Sequence, residues 1–235
     1  MVESRWVKVG EINTHYLMGG EGASLVLLHG GASGAEDEWG PNLEPLAQHH
    51  RIYAPDMVGY GKSDKPRLRY TPSLFSDFFE NFMEALNLEN ASIMGHSLGG
   101  GIALAFTLNH PKKVDKLILV DSAGLAEKLG LLGRLLVPIF AIKAKLRKDE
   151  TYLSLMRDGG KEPGDVFLDR LPEITAPTLI LWGEWDGYLP VKLAYQAHER
   201  LRDSQLHVFK RCWHAPQRER TEEFNQLVLD FLREE

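Results

Sequence analysis

Hydrophobic positions along the chain fall into short blocks of two kinds. Leu25–Leu28, Val114–Val120 and Thr178–Trp182 are mostly apolar runs, as expected of strands buried on both faces. Trp6–Val9 and Ile12–Met18, joined at Gly10-Glu11, read as two further strands, with Gly19-Gly20 as the next turn. Arg51–Pro55 and Gln205–Phe209 complete the strand blocks. Between them lie stretches with helical spacing. One is near Leu43–His49, and another starts at Thr71-Pro72 and carries Leu74, Phe75, Phe78, Phe82, Met83 and Leu86 on one side. The others are Ile102–Leu108, Leu193–Leu201 and Thr221–Leu232, the last with Phe224, Leu227, Val228 and Phe231 on one face. Strands alternating with helices predict an α/β fold: a mostly parallel sheet with helices on both faces.

One segment breaks the alternation. Between Ala123 and Pro172 no strand pattern occurs, only a helical stretch over Ala126–Lys148 interrupted by Pro138, then a second over Glu150–Arg157. Gly159 to Gly164 reads as a loop. The expected organisation is a core of residues 1–122 and 173–235 with a short helical insertion at 123–172.

Composition narrows the partners. The 235 residues, 43% hydrophobic and 26% charged, suit one ordinary globular domain. A net charge of −6 argues against nucleic acid or an anionic membrane. The basic cluster Lys143, Lys145, Arg147 and Lys148 is followed at once by Asp149 and Glu150. A single cysteine, Cys212, excludes an internal disulfide and fits a reducing compartment. The N-terminal residues show no secretory pattern, and the longest apolar stretch, Leu135–Ile142, is too short for a membrane span. The expectation is a cytoplasmic protein without a membrane span, with a homodimer possible.

The chemistry centres on Ala91–Gly101. A short apolar run meets Gly95-His96-Ser97-Leu98-Gly99, and a helical run follows. That is strand, sharp turn and helix with a serine at the apex, and small residues are needed where backbones approach closely. A serine hydroxyl becomes nucleophilic only when a base takes its proton and a carboxylate orients that base. Asp186 and His214 each follow the end of a strand, where open α/β sheets build their sites. Asp121 is the competing acid, and Glu184 reads as a surface carboxylate. His198 and His207 lie inside elements, and the nine histidines lack metal-ligand spacing, so neither metal nor cofactor is expected. Gly59-Tyr60-Gly61-Lys62-Ser63 ends like a phosphate-binding loop, but Asp56 stands where that motif needs glycine.

These stretches resemble the α/β-hydrolase superfamily, with Ser97 on its nucleophile elbow. The resemblance implies the chain order Ser97, Asp186, His214 for the triad. It also implies an oxyanion hole from the backbone N–H groups of Gly31, in His29-Gly30-Gly31, and Leu98. The Asp56-to-Ser63 loop matches a structural loop of the superfamily, and residues 123–172 match its cap. His29-Gly-Gly-Ala-Ser-Gly-Ala, Asp56-Met-Val-Gly-Tyr-Gly-Lys-Ser and Leu171–Gly183 look most like the meta-cleavage-product hydrolases, which cut carbon–carbon bonds. That branch usually has Asn where His96 stands, Trp where Ala215 stands, and a longer cap. His96 is shared with many esterases. The first expectation is therefore a carboxylesterase for small or short-chain esters. A carbon–carbon hydrolase is the alternative, and a slow-turnover ligand receptor of the same fold the second. The small-molecule ester or related carbonyl substrate would lie under the apolar run Leu129, Leu132, Leu135, Leu136, Ile139, Ile142 and Leu146. Leu132, Leu136 and Ile139 are its candidate contacts, with packing on the core as the competing reading. A lid that docks on lipid is disfavoured for want of a larger aromatic belt.

Overall fold

The structure is a computed structural model that describes residues 1–126, 130–147, 149–158 and 166–234, without the side chains of Leu132, Leu136, Phe140, Lys143, Arg147, Met156 and Asp158. In chain order the elements are β1 (Glu3–Val9), β2 (Ile12–Gly19), β3 (Ser24–Leu28), α1 (Ala35–Ala47), β4 (Arg51–Pro55), α2 (Pro72–Ala85), β5 (Ala91–His96) and α3 (Leu98–Asn109). There follow β6 (Val114–Val120), α4 (Leu131–Arg147), α5 (Glu150–Asp158), β7 (Thr178–Gly183), α6 (Lys192–Arg200), β8 (Ser204–Phe209), α7 (Pro216–Glu219) and α8 (Thr221–Arg233). Short 3-10 turns cover Pro111–Lys113 and Leu168–Glu173.

The strands form one eight-stranded sheet in the order β1-β2-β4-β3-β5-β6-β7-β8. β2 runs antiparallel to both its neighbours, and every pair from β4 onward is parallel. The uniformly apolar strands lie at the centre because side chains alternate between two buried faces. Val26, Leu28, Leu117, Leu119, Ile180 and Trp182 join one core with residues of α2, α3 and α6. Leu25, Leu27, Ile118, Val120, Leu179 and Leu181 join the other with α1 and α8. The predicted α/β-hydrolase architecture is the one observed.

Two local differences have physical causes. α1 starts at Ala35, well before Leu43, although Pro41 and Pro45 lie within it. Its first N–H, that of Ala35, donates to Asp56 Oδ1 at 2.7 Å, so the cap comes from a loop distant in sequence. The same Asp56 accepts from Lys62 N–H (2.8 Å) and lies 2.7 Å from His15 Nδ1, which makes this loop a structural clamp. The first insertion helix begins at Leu131 with Pro138 inside it; Leu129 and the Gly159–Gly164 loop lie outside the described residues.

The aromatic packing between α2 and α3 provides a test of this core. Phe79 is fully buried and meets Phe106 edge-on, with ring centroids 4.7 Å apart. Phe79→Ala should cost about 3–5 kcal/mol, read as a lowered urea midpoint at unchanged slope.

Candidate active site

Ser97 sits between β5 and α3 with φ 51° and ψ −115°, a left-handed backbone that few non-glycine residues adopt. Side chains at Gly95 or Gly99 would collide with backbone, that of Gly99 and Leu28 respectively, so both glycines are required by close approach. The turn is pinned by hydrogen bonds: Ser97 N–H donates to the Val120 carbonyl at 3.0 Å, and the Ser97 carbonyl accepts from Ala123 N–H at 2.9 Å. The hydroxyl is thereby lifted clear of the sheet at the carboxyl ends of the parallel strands, and Ser97 is half-buried.

His214 and Asp186 arrive from loops after β8 and β7. His214 Nε2 lies 3.1 Å from Ser97 Oγ, and His214 Nδ1 lies 2.7 Å from Asp186 Oδ2. Asp186 Oδ1 accepts from the N–H groups of Tyr188 (2.7 Å) and Leu189 (2.9 Å), which fixes the carboxylate plane. Burial alone would raise the Asp186 pKa; hydrogen bonding and the charge of His214 outweigh it, and the net shift is downward. An ionised acid, an imidazole and a serine hydroxyl are thus aligned in one chain, able to move the Ser97 proton to His214.

The competing acid is close by. The carboxylates of Asp121 and Asp186 and a ring nitrogen of His214 all lie within 4.8 Å of one another. Asp121 Oδ1 accepts from Gly183 N–H at 3.0 Å, and burial followed by the neighbouring Asp186 charge pushes its pKa far upward. Asp121 is therefore a neutral acid behind a charged one, as expected when two buried carboxyls share a site. Asp186 is already taken up by His214 and by the Tyr188 N–H, and Asp121 Oδ1 by the Gly183 N–H.

Gly31 and Leu98 lie side by side. A methyl group at Gly31 would stand 3.5 Å from Leu98 Cδ2 and 3.3 Å from Leu155 Cδ2. As the first residue of α3, Leu98 offers an N–H that has no partner within the helix. His29 is structural. It is buried, its Nδ1 lies 2.7 Å from the Gly30 carbonyl, and its Nε2 accepts from Met57 N–H at 3.0 Å. Burial lowers its pKa, so it is neutral. Cys212 is buried too, its thiol pushed up to about 12 by that burial, which makes it inert. Glu184 Oε2 accepts from Arg211 N–H at 2.8 Å on the surface.

Two features escape a reading of motifs. The first is Glu38 on α1. It is buried, accepts from Ser33 Oγ (2.6 Å) and Gln217 Nε2 (2.5 Å), and pairs with His96 Nδ1 at 3.0 Å. His96 Nε2 donates to the His214 carbonyl at 2.7 Å, with the two rings 4.9 Å apart. Burial opposes charge on both groups. The attraction between them wins: the His96 pKa is raised, and that of Glu38, held by His96, Ser33 and Gln217, lies well below the carboxylate range. A buried imidazolium next to Ser97 thus anchors the backbone of His214. The available signal was a glutamate on the apolar stripe Ala35, Trp39, Leu43, Leu46.

The second is what covers the site. Leu155 of α5 reaches Gly31, and the Tyr188 ring lies 5.1 Å from that of His214. Of the expected roof, Leu135, Ile139, Ile142 and Leu146 are exposed to solvent. Ile139, one of the candidate substrate contacts, lies on this exposed row. The side chains of Leu132 and Leu136 lie outside the described residues.

A strand–serine–helix elbow on a mostly parallel sheet defines the class, and comparison with known proteins gives the same answer. Residues 23–147 match the family model of the alpha/beta hydrolase fold, and the chain belongs to that family. It is 30% identical to the 2-hydroxy-6-oxo-6-(2'-aminophenyl)hexa-2,4-dienoic acid hydrolase of Metapseudomonas resinovorans, over 97% of this chain and 90% of that protein. It is 32% identical to the 2-hydroxymuconate semialdehyde hydrolase of Pseudomonas sp. (strain CF600), over 95% and 91%. Among solved structures, a bacterial membrane phospholipase A superposes with a TM-score of 0.84 at 26% identity, over 98% of this chain and 86% of that one. The chain is a hydrolase of this superfamily.

The Glu38–His96 pair makes a pH-dependent prediction. His96 titrates above its ordinary 6.5, so its contribution to stability is full below about pH 6.5 and fades as pH rises through the folded value. Glu38 titrates below its ordinary 4.5, so its contribution is full above about pH 4.5 and fades as pH falls. Glu38→Gln, which strands a buried cation, should cost about 3–5 kcal/mol. In urea unfolding from pH 4 to 9 the gap to the wild type should be widest between those two values and narrow on either side.

Proposed function

We propose that this hydrolase cleaves small or short-chain carboxylic esters through an acyl-enzyme on Ser97. The observation that carries the proposal is the unbroken chain from Asp186 Oδ2 to His214 (2.7 Å) and on to Ser97 Oγ (3.1 Å). Ser97 Oγ attacks the ester carbonyl while His214 Nε2 takes its proton. Asp186 holds Nδ1 protonated and stabilises the imidazolium. The tetrahedral oxyanion is received by the N–H groups of Leu98 and Gly31, each worth about 3 kcal/mol by analogy with measured donors. His214 then protonates the departing alkoxide. Water, activated by the same imidazole, frees the acid.

Asp186 is the acid in this scheme rather than Asp121, because only an ionised carboxylate stabilises an imidazolium and Asp121 is held neutral. Ester cleavage is preferred because the leaving oxygen needs only the proton that His214 already carries. Carbon–carbon cleavage requires a proton delivered to carbon as well, which asks more of the site. The carbon–carbon reading is nonetheless the second one, since two relatives at 30% and 32% identity are named as hydrolases of that kind of dienoate or semialdehyde.

Turnover of p-nitrophenyl acetate and butyrate against that of a 2-hydroxy-6-oxo-dienoate separates the readings. Ester turnover is expected, and turnover of the dienoate alone would transfer the assignment to carbon–carbon hydrolysis. Negligible turnover of all three, with ligand-induced stabilisation, would indicate a receptor. Ser97→Ala should cut kcat by about a million-fold at nearly unchanged Tm. Asp186→Asn should cost roughly ten-thousand-fold and Asp121→Asn no more than about tenfold; the reverse order would make Asp121 the acid.

A further inference from the structure

Helix α4 turns a row of large aliphatic side chains to solvent. Leu131, Leu135, Ile139, Ile142 and Leu146 recur at steps of four, four, three and four, which places them on one helical face, and they are between 49% and 80% exposed. Among the described side chains away from that row, Gly133 and Ala144 are buried and Val137 and Ala141 half-buried. A helix serving only the fold would carry polar groups on its solvent face. A continuous row of exposed leucine and isoleucine marks a surface that meets a partner.

The charge on the helix says which partner. Five of the chain's 27 lysines and arginines, and none of its 33 acids, fall between Leu131 and Lys148. Arg134 and Lys145 are exposed and border the apolar row by helical spacing. Two copies of the chain meeting through α4 about a two-fold axis would set these like charges against each other. An anionic lipid surface attracts them and accepts the apolar row. The helix, 17 residues or about 26 Å long, suits lying in such a surface. No helix among the described residues is long and apolar enough to cross a membrane.

We propose that α4 is an interfacial docking helix that lays its leucine–isoleucine face into an anionic lipid surface. Its first turn is tied to the loop that carries Asp186: Gly130 N–H donates to the Tyr188 carbonyl at 2.6 Å and Gly133 N–H to the Gly187 carbonyl at 3.1 Å. Docking therefore brings the lipid surface beside the loop that supports His214. If the ester reading holds, acyl esters delivered from lipid become its natural substrates. The docking itself does not depend on which bond is cut. The whole-chain charge of −6, which argues against an anionic membrane, conceals a helix of the opposite sign.

The test is co-sedimentation with phosphatidylglycerol and phosphatidylcholine vesicles, using the wild type, L135E/I142E and the milder L135S/I142S. The wild type should bind phosphatidylglycerol vesicles, at least about tenfold more strongly than phosphatidylcholine, and lose that preference in 0.5 M NaCl as charges are screened (Debye length about 4 Å). Both variants should bind at least about tenfold less, while turning over p-nitrophenyl acetate in vesicle-free solution like the wild type. Ser97→Ala should bind vesicles normally, so docking and catalysis fail separately. Equal binding to both lipids, equal binding by the variants, or no binding by the wild type would overturn the proposal. So would a wild-type dimer, seen by analytical ultracentrifugation, that both variants abolish; that result assigns the face to a second copy.

Discussion

The structure depends on the left-handed turn at Ser97. A non-glycine residue at φ 51° is held at a cost of about 1–3 kcal/mol, and the surroundings must over-determine it. They do so from three directions. β5 is flanked by β3 and β6, the glycines before and after the serine let the α3 backbone close on the strand ends, and Val120 and Ala123 bond the Ser97 peptide groups. One strained residue therefore sets where α3 begins, which N–H points at the site, and where His214 must come to rest.

Around that turn, buried charge is arranged so that each group has a distinct state. The Asp186 pKa is lowered because His214 and backbone N–H groups stabilise the anion, whereas that of Asp121, a few ångströms away, is pushed up by burial and then by the Asp186 charge. Glu38 and His96 form a separate ion pair, and its cation holds the His214 carbonyl. His214 thus sits between the Asp186 carboxylate on its Nδ1 side and the His96 ring at its backbone carbonyl. Breaking either would disturb geometry as well as potential.

The segment between β6 and β7 divides its work. α5 faces inward, with Leu155 against Gly31 and Thr151 Oγ1 donating to the Gly59 carbonyl at 3.1 Å. α4 turns Leu131, Leu135, Ile139, Ile142 and Leu146 to solvent, while Gly133 and Ala144 are buried.

Much of this was legible in the chain itself. Uniform apolar runs such as Leu25–Leu28 and Thr178–Trp182 determined the central strands, since a strand buried on both faces has no room for polar residues. The Gly95–Gly99 motif pointed to the elbow, because a side chain at either glycine would meet backbone; Asp186 and His214 could be read from their places after later strands. Other features belong to tertiary structure alone. α1 begins where Asp56 can cap it, a contact made across 21 positions of sequence that no local rule contains. The Glu38–His96–His214 connection joins α1, β5 and the loop after β8, and the charge states of Asp121 and Asp186 follow from mutual distance rather than residue type. The outward turn of α4 is the clearest case. Helical periodicity shows that Leu135, Ile139, Ile142 and Leu146 share a face, but only packing decides whether that face meets the core or the solvent.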